Sequence, residues 1–161
     1  MVSWIHYHNQ MRGELPVILS GLSMGASTML YLADQNLPAN VKGIIADCGF
    51  TSPKAILSSV FRSVIHLPAG PTLIGAELFS RLFAGFSLTE KDTRKALKNS
   101  KIPVFMVHGM ADDFVPCDMS RRMYEKCPSR KALYIVPGAD HGLAFPVANE
   151  KYIAELKAFF E

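Results

Sequence analysis

Ser23 is the residue whose surroundings most clearly indicate chemistry. It is the centre of a Gly-x-Ser-x-Gly motif, with Gly21 and Gly25 on either side, and the motif directly follows the apolar run 16–19. A serine on a sharp turn from strand to helix takes a strained backbone conformation, and the two glycines are expected to remove side chains that would collide across that turn. Such a turn exposes the Ser23 hydroxyl and places the N–H of Met24 at a helix N-terminus, where it can donate to an oxyanion.

A serine hydroxyl is a poor nucleophile until a base takes its proton, so the motif predicts a histidine that is oriented by a carboxylate. Asp112 lies in the loop after the apolar run 102–107, and His141 lies in the loop after the run 132–136. Loops at the carboxyl ends of parallel strands line the ligand crevice of an open α/β sheet. The sequence therefore predicts that Ser23, Asp112 and His141 lie close together.

The elements that must position these residues alternate along the chain. Four runs are continuously apolar, which is typical of strands buried on both faces of a parallel sheet; they are residues 16–19, 41–46, 102–107 and 132–136. Helical patterns fill the gaps between and after them, over residues 24–35, 116–126 and 149–160. Strand alternating with helix predicts an α/β fold, here as one domain over residues 1–161.

Residues 47–101 separate the second and third predicted strands, far more chain than a parallel crossover needs. Two apolar stripes, on either side of a break at 68–71, predict a helical hairpin at about 51–90; they are Ile56, Leu57, Val60, Phe61, Val64, Ile65 and then Leu73, Ile74, Leu78, Phe79, Leu82, Phe83. The hairpin is interpreted as extra core, as a lid over a site, or as an interfacial membrane helix. Arg62, Glu77 and Arg81 interrupt it and exclude a membrane span.

Composition excludes several classes of protein. The chain has 17 Lys and Arg against 14 Asp and Glu, a formal net charge of +3 that is spread along the sequence, so nothing indicates a nucleic-acid partner. The cysteines Cys48, Cys117 and Cys127 are odd in number and form no Cys-x-x-Cys pair, which argues against a disulfide framework or a structural zinc site. The N-terminus does not resemble a secretion signal, and no run of about 18 apolar residues occurs, so we expect a soluble cytoplasmic protein.

Three motifs in register resemble the α/β-hydrolase family. Gly-Leu-Ser-Met-Gly at 21–25 is similar to its nucleophile elbow, His-Gly-Met-Ala-Asp-Asp-Phe-Val-Pro at 108–116 to its acid loop, and Gly-Ala-Asp-His at 138–141 to its histidine loop. The order Ser, Asp, His is also that of the family. The resemblance covers nearly the whole chain and corresponds to the C-terminal half of the family's fold, so it implies a truncated α/β-hydrolase fold with about four parallel strands.

By this resemblance Ser23 is the nucleophile, His141 is the general base and then the acid, Asp112 orients the imidazole, and the Met24 N–H is an oxyanion donor. Two other carboxylates compete for the role of Asp112: Asp113 is offset by one residue from the family spacing, and Asp140 is so near His141 that orienting its ring is sterically awkward.

The residues around the three loops are expected to border the substrate. We predict that Leu22, Cys48, Phe50 and Phe114 line the substrate site, although a buried apolar role is the alternative for Cys48. His108 precedes the acid loop and is expected to shape that loop instead of acting as the base.

Two departures from the family carry predictions. Family members have eight strands, with a second oxyanion donor after the third, whereas only 22 residues precede Ser23. Loss of one such donor typically lowers kcat by about 10² to 10³. The run 16–19 also becomes a sheet edge with an uncovered apolar face, which predicts a homodimer formed through that edge or face.

Together these observations predict a serine hydrolase that cleaves small carboxylic esters through an acyl-enzyme and needs no metal or cofactor. The apolar hairpin indicates short or medium apolar acyl groups, while peptides and thioesters remain open because the same triad serves them. The alternative is a catalytically impaired module that keeps the elbow and acts in binding or interaction.

Overall fold

In the computed structural model, which describes residues 1–63, 65–66 and 68–161, four strands form one parallel sheet in the order β1-β2-β3-β4. The strands are β1 (Val17–Leu22), β2 (Val41–Asp47), β3 (Val104–Gly109) and β4 (Lys131–Val136). The helices are α1 (Val2–Arg12), α2 (Met24–Leu30), α3 (Pro53–Ser63), α4 (Ala69–Phe79), α5 (Thr93–Leu97), α6 (Asp118–Lys126) and α7 (Ala144–Phe160). This architecture confirms the predicted α/β class.

Burial differs sharply between the central and the edge strands. All six residues of β3 are buried, as a strand covered on both faces requires. In β1 only Leu19 is buried, while Ile18 and Leu22 on the opposite face are 43% and 53% exposed. The prediction that all four strands are buried on both faces is therefore wrong for β1 and also for β4, in which Val136 is the one buried residue, because both strands lie at an edge of the sheet. The separate prediction that the run 16–19 becomes a sheet edge with an uncovered apolar face agrees with the position of β1.

Each face of the sheet carries its own apolar cluster. On one face α2 packs against β1 and β2, with Leu30, Ile44, Val104 and Met106 fully buried. On the other face α7 packs against β3 and β4, where the Phe105 ring lies 5.4 Å from that of Phe159. These two clusters fix the strands whose carboxyl ends carry the candidate residues.

Three helices have bounds that differ from the predicted ones. The helix predicted over 24–35 ends at Leu30, because the chain beyond it tightens into turns in which Leu32 and Ala33 donate to carbonyls three residues back. The helix predicted from residue 116 begins at Asp118, and the one predicted from residue 149 begins at Ala144 with a kink at Ala148.

The predicted hairpin is present as α3 and α4, and α4 continues into a short π-helix, Ser80–Ala84. Val64 of the first apolar stripe lies outside the described residues. No residue of α3 or α4 is buried, and Phe79 and Phe83 are 64% and 75% exposed, so this part of the insertion is a surface feature and not additional core.

Length and hydropathy decide whether a helix can span a membrane, and the described helices of this chain fall short of what that requires. None of them, over residues 1–63, 65–66 and 68–161, is long and apolar enough to cross a bilayer.

Candidate active site

The turn between β1 and α2 holds Ser23 in an unusual backbone conformation. Its φ is 53° and its ψ is −114°, values that a non-glycine residue adopts only when the surrounding structure imposes them. The Ser23 N–H donates to the carbonyl oxygen of Asp47 at 2.8 Å, which continues the pairing of β1 with β2 up to the turn.

The two motif glycines have different reasons to be glycine. A Cβ at Gly21 would lie 2.3 Å from the carbonyl carbon of Gly25, so the return of the chain into α2 requires a bare backbone there. A Cβ at Gly25 would meet nothing within 4 Å outside its own helix. The expected collision is therefore confirmed for Gly21 and wrong for Gly25.

The loops after β3 and β4 are held together by their backbones. The Ala111 N–H donates to the Ala139 carbonyl at 3.0 Å, and the Met110 N–H donates to the Val136 carbonyl at 2.8 Å. A Cβ at Gly109 would lie 2.2 Å from the Ala139 oxygen, so the close approach of the two loops depends on this glycine. The arrangement brings Asp112 and His141 to the same end of the sheet as Ser23.

The three side chains named by the motifs form a connected hydrogen-bond series. Ser23 Oγ lies 2.9 Å from His141 Nε2, and His141 Nδ1 lies 2.8 Å from Asp112 Oδ2. Asp112 accepts from Nδ1, so Nδ1 carries a hydrogen and Nε2 of the neutral ring is free to accept from the Ser23 hydroxyl. This geometry is suited to removing the serine proton during nucleophilic attack.

Asp112 is the most strongly held carboxylate of the site. Its Oδ1 accepts from the backbone N–H groups of Phe114 at 3.1 Å and Val115 at 2.7 Å. Its Oδ2 accepts from His141 at 2.8 Å and lies 3.1 Å from His108 Nε2, whose N–H also points to the Val115 carbonyl oxygen at 2.8 Å. Burial acts to raise the pKa of Asp112, but these hydrogen bonds outweigh it and hold that pKa below its usual value. The carboxylate therefore stays ionised beside the imidazole.

The competing carboxylates are placed differently. Asp113 is exposed to solvent. Asp140 Oδ1 accepts from the backbone N–H of His141 at 2.6 Å, so it caps the loop and does not contact the Nδ1 side of the ring. Of the three candidates, Asp112 is the one that the structure places against the imidazole.

The residues expected to border the substrate lie at different distances from the series. The Phe114 ring packs against that of His141 at a tilt of 56°, with ring centroids 5.1 Å apart, and the Leu22 side chain lies beside Gly142. Cys48 is fully buried beneath the site. Phe50, which follows β2, lies beside Ser27 of α2, one helical turn beyond Ser23. Its backbone N–H donates to the Ser27 hydroxyl at 2.8 Å, and that hydroxyl donates to the Phe50 carbonyl at 3.1 Å.

Cys48, Asp112 and His141 form the one cluster among the described residues that has the composition of a metal site, with ligand atoms within 4.8 Å of one another. Burial raises the pKa of the Cys48 thiol to about 12, whereas metal ligation needs the thiolate. Both Asp112 oxygens already accept hydrogen bonds. These three residues do not suit the coordination of a metal cation. Asp112 and His141 lie close together because they are hydrogen-bonded to each other, and Cys48 is buried beneath them.

Sequence reasoning missed two side chains that bond to buried groups next to the Ser–His–Asp series. Ser120 in α6 bonds His108 Nδ1 at 2.6 Å, and the Tyr152 hydroxyl of α7 donates to Asp47 Oδ2 at 3.2 Å. Burial raises the pKa of Asp47 above its usual value, although the Tyr152 hydrogen bond opposes this effect. A helical serine or tyrosine carries no local signal of such a contact, because the contact arises from helix-on-sheet packing.

A family model described as "Serine aminopeptidase, S33" matches residues 62–146, just over half of the chain and including both the acid loop and the histidine loop. The uncharacterised protein YqkD of Bacillus subtilis is 29% identical over 143 residues, which are 89% of this chain and 47% of YqkD. The chain thus spans about half the length of this curated relative.

Solved structures show the same fold at low identity. An esterase of Pyrococcus furiosus superposes with a TM-score of 0.72 and 18% identity, over 98% of this chain and 58% of the esterase. An acylaminoacyl peptidase of Pyrococcus horikoshii superposes with a TM-score of 0.67 and 18% identity, over 96% of this chain and 26% of the peptidase. The chain has the α/β-hydrolase fold and belongs to the serine aminopeptidase (S33) family of hydrolases.

Proposed function

We propose that this chain carries the catalytic site of a serine hydrolase that cleaves carboxylic esters through an acyl-enzyme. The observation that carries the proposal is the unbroken series from Ser23 Oγ through His141 to Asp112, with hydrogen bonds of 2.9 and 2.8 Å. Each member has a geometry that suits its role: a half-buried serine between the exposed Leu22 and Met24, a ring with Nε2 toward it, and a buried carboxylate behind the ring.

The reaction follows from these positions. His141 Nε2 takes the Ser23 proton while Oγ attacks the ester carbonyl carbon, and the resulting oxyanion accepts from the N–H of Met24, the first residue of α2. Collapse breaks the ester C–O bond, and the alcohol leaves with the proton from His141. A water molecule then gives one proton to His141 while its oxygen bonds the acyl carbon. The bond between that carbon and Ser23 Oγ breaks, Oγ takes the proton back from His141, and the carboxylic acid leaves.

The substrate class is proposed from the side chains that flank the three residues. Leu22, Met24, Phe114 and Leu143 lie one or two residues from the series and are each at least 38% exposed. An exposed apolar rim favours an apolar acyl group over a charged peptide. Since the superposed proteins are named as an esterase and as a peptidase, the test must compare the hydrolysis of esters with that of aminoacyl amides.

The test combines turnover with covalent labelling. We expect p-nitrophenyl butyrate and octanoate to be hydrolysed faster than the acetate, and aminoacyl p-nitroanilides to be hydrolysed more slowly than any of these esters. A fluorophosphonate probe is expected to label one site, which peptide mass mapping should place at Ser23. Labelling at another residue, or no labelling and no turnover across pH 6 to 9, would contradict the proposal and favour a binding module.

We also propose that the uncovered side of β1 is occupied by a second copy of the chain. Ile18 exposes an apolar side chain on the uncovered face of this edge strand, and an exposed apolar strand at a sheet edge promotes association through edge or face. Light scattering at micromolar concentration is expected to show a dimer for the wild type and a monomer for Ile18→Lys. The control is Ile74→Lys on α4, at another exposed apolar position, which should leave the dimer intact; a monomeric wild type would refute the idea.

The cytoplasmic location expected from the sequence stays a prediction.

A further inference from the structure

A single carboxylate oxygen of Asp112 contacts the rings of two histidines. Its Oδ2 lies 2.8 Å from His141 Nδ1 and 3.1 Å from His108 Nε2. On the far side, His108 Nδ1 lies 2.6 Å from the Ser120 hydroxyl. Polar contacts therefore continue beyond the carboxylate in one series, Ser23–His141–Asp112–His108–Ser120, in which the His108 N–H is shared between Asp112 Oδ2 and the Val115 carbonyl.

The partners of His108 determine which of its nitrogens carries the hydrogen. Nε2 faces Asp112 Oδ2 and, at 2.8 Å, the carbonyl oxygen of Val115. Both partners are acceptors only, so Nε2 must be the donor. In the neutral ring Nδ1 is then the acceptor, and the Ser120 hydroxyl donates to it. Ser120 thus fixes the ring in the form that donates to Asp112.

This second Ser–His–Asp set is not a second catalytic centre. His108 is completely buried and Ser120 is 1% exposed, so no substrate reaches the hydroxyl. The two ring nitrogens also have the opposite partners from those of His141, because in His108 the serine contacts Nδ1 and the carboxylate contacts Nε2. A role for the pair must therefore be exerted through Asp112.

We propose that His108, held by Ser120, is a positioning residue that sets the basicity of His141 by sharing the Asp112 carboxylate. The inference deepens the proposed function and rests on it. A hydrogen bond that His108 donates to Oδ2 stabilises the anion and reduces the electron density available to the His141 N–H. Without this donor, Asp112 stabilises the protonated form of His141 more strongly.

Other titratable groups also face this pair of rings, and they must stay constant in a test. They come from the end of β2, from α7 and from the histidine loop itself: Asp47, Cys48, Tyr152 and Asp140. None of them contacts Asp112 Oδ2 by a described hydrogen bond, so substitutions at His108 and Ser120 change the carboxylate's partners without replacing these groups.

The deciding experiment is the pH profile of kcat/KM for a p-nitrophenyl ester, because its acid limb reports loss of the proton from the free enzyme's base. In His108→Leu, which removes the donor, we expect the acid limb to move to higher pH by about 0.5 to 1 unit, with KM little changed. In His108→Gln, whose amide keeps an N–H donor, the limb should return to within about 0.3 unit of the wild type. In Ser120→Ala, which keeps the ring but frees it, the limb should move in the same direction by a smaller amount.

A purely structural role for His108 would lower the amplitude of the profile and leave the limb in place. The inference is overturned if a folded Leu variant keeps the wild-type limb, or if Gln moves the limb as far as Leu does. The Ser120→Ala variant provides the same test if the Leu variant does not fold. NMR titration of the His141 ring in the absence of substrate gives the answer even for a protein without turnover, so failure of this inference is distinguishable from failure of the proposed function.

Discussion

Replacement of Ser23 by alanine is expected to lower kcat for ester hydrolysis by about 10⁴- to 10⁶-fold, the range seen when a serine nucleophile is removed from a triad. The reason is that no other hydroxyl among the described residues bonds His141 Nε2, so the acyl-enzyme route is lost. Steady-state turnover of p-nitrophenyl butyrate measures the effect. Labelling by the fluorophosphonate should disappear in parallel.

The matched control for this variant is Ser20→Ala. Ser20 lies three residues earlier in β1 and is exposed, so its loss should leave kcat within about twofold of the wild type and stability within about 0.5 kcal/mol. Turnover by Ser23→Ala above about 1% of the wild type would mean that the nucleophile lies elsewhere. If wild type and His141→Ala bind a ligand equally and neither turns over esters, the chain is better described as a binding module.

Gly21→Ala is expected to cause a large loss of stability, more than about 3 kcal/mol in the free energy of unfolding. The new Cβ would lie 2.3 Å from the carbonyl carbon and 2.4 Å from the carbonyl oxygen of Gly25. Backbone atoms cannot move aside as a flexible side chain can, so either β1 or the start of α2 must shift. Urea unfolding followed by circular dichroism measures the loss.

The second motif glycine provides the control. Gly25→Ala meets no neighbour within 4 Å outside α2, and alanine is favoured over glycine within a helix by about 1 kcal/mol. We therefore expect Gly25→Ala to unfold at an equal or slightly higher urea concentration than the wild type. Equal destabilisation by both substitutions would refute the assignment of the steric constraint to Gly21.

The parts of the fold that the sequence predicts well are those determined by local pattern. The apolar runs located all four strands, and the elbow and two loop motifs placed Ser23, Asp112 and His141 at the ends of three of them. Helix ends were less predictable: the apolar pattern of α2 continues to Gln35, yet the helix ends at Leu30, because turns with three-residue spacing follow it.

The features that sequence reasoning missed depend on contacts between distant elements. The edge position and the uncovered face of β1 are not among these features, because the sequence predicts both. The bond between Ser120 and His108 exists because α6 packs on β3 and presents Ser120 to the strand. Likewise, the Tyr152–Asp47 bond joins residues 105 positions apart. Neither contact follows from a motif, since each requires knowledge of which helix covers which strand.

Backbone hydrogen bonds hold the segments that carry the three residues. The turn of Ser23 is bonded to Asp47 at the end of β2, and the loops of Asp112 and His141 are bonded to each other through Ala111 to Ala139 and Met110 to Val136. The side chains that form the apolar rim take no part in these bonds. The side chains of Leu22, Met24 and Leu143 are therefore not what holds the loops of the hydrogen-bond series in place. Substitutions of the exposed side chains of Met24 and Leu143 are therefore expected to leave these backbone hydrogen bonds, and with them the positions of Ser23, Asp112 and His141, unchanged.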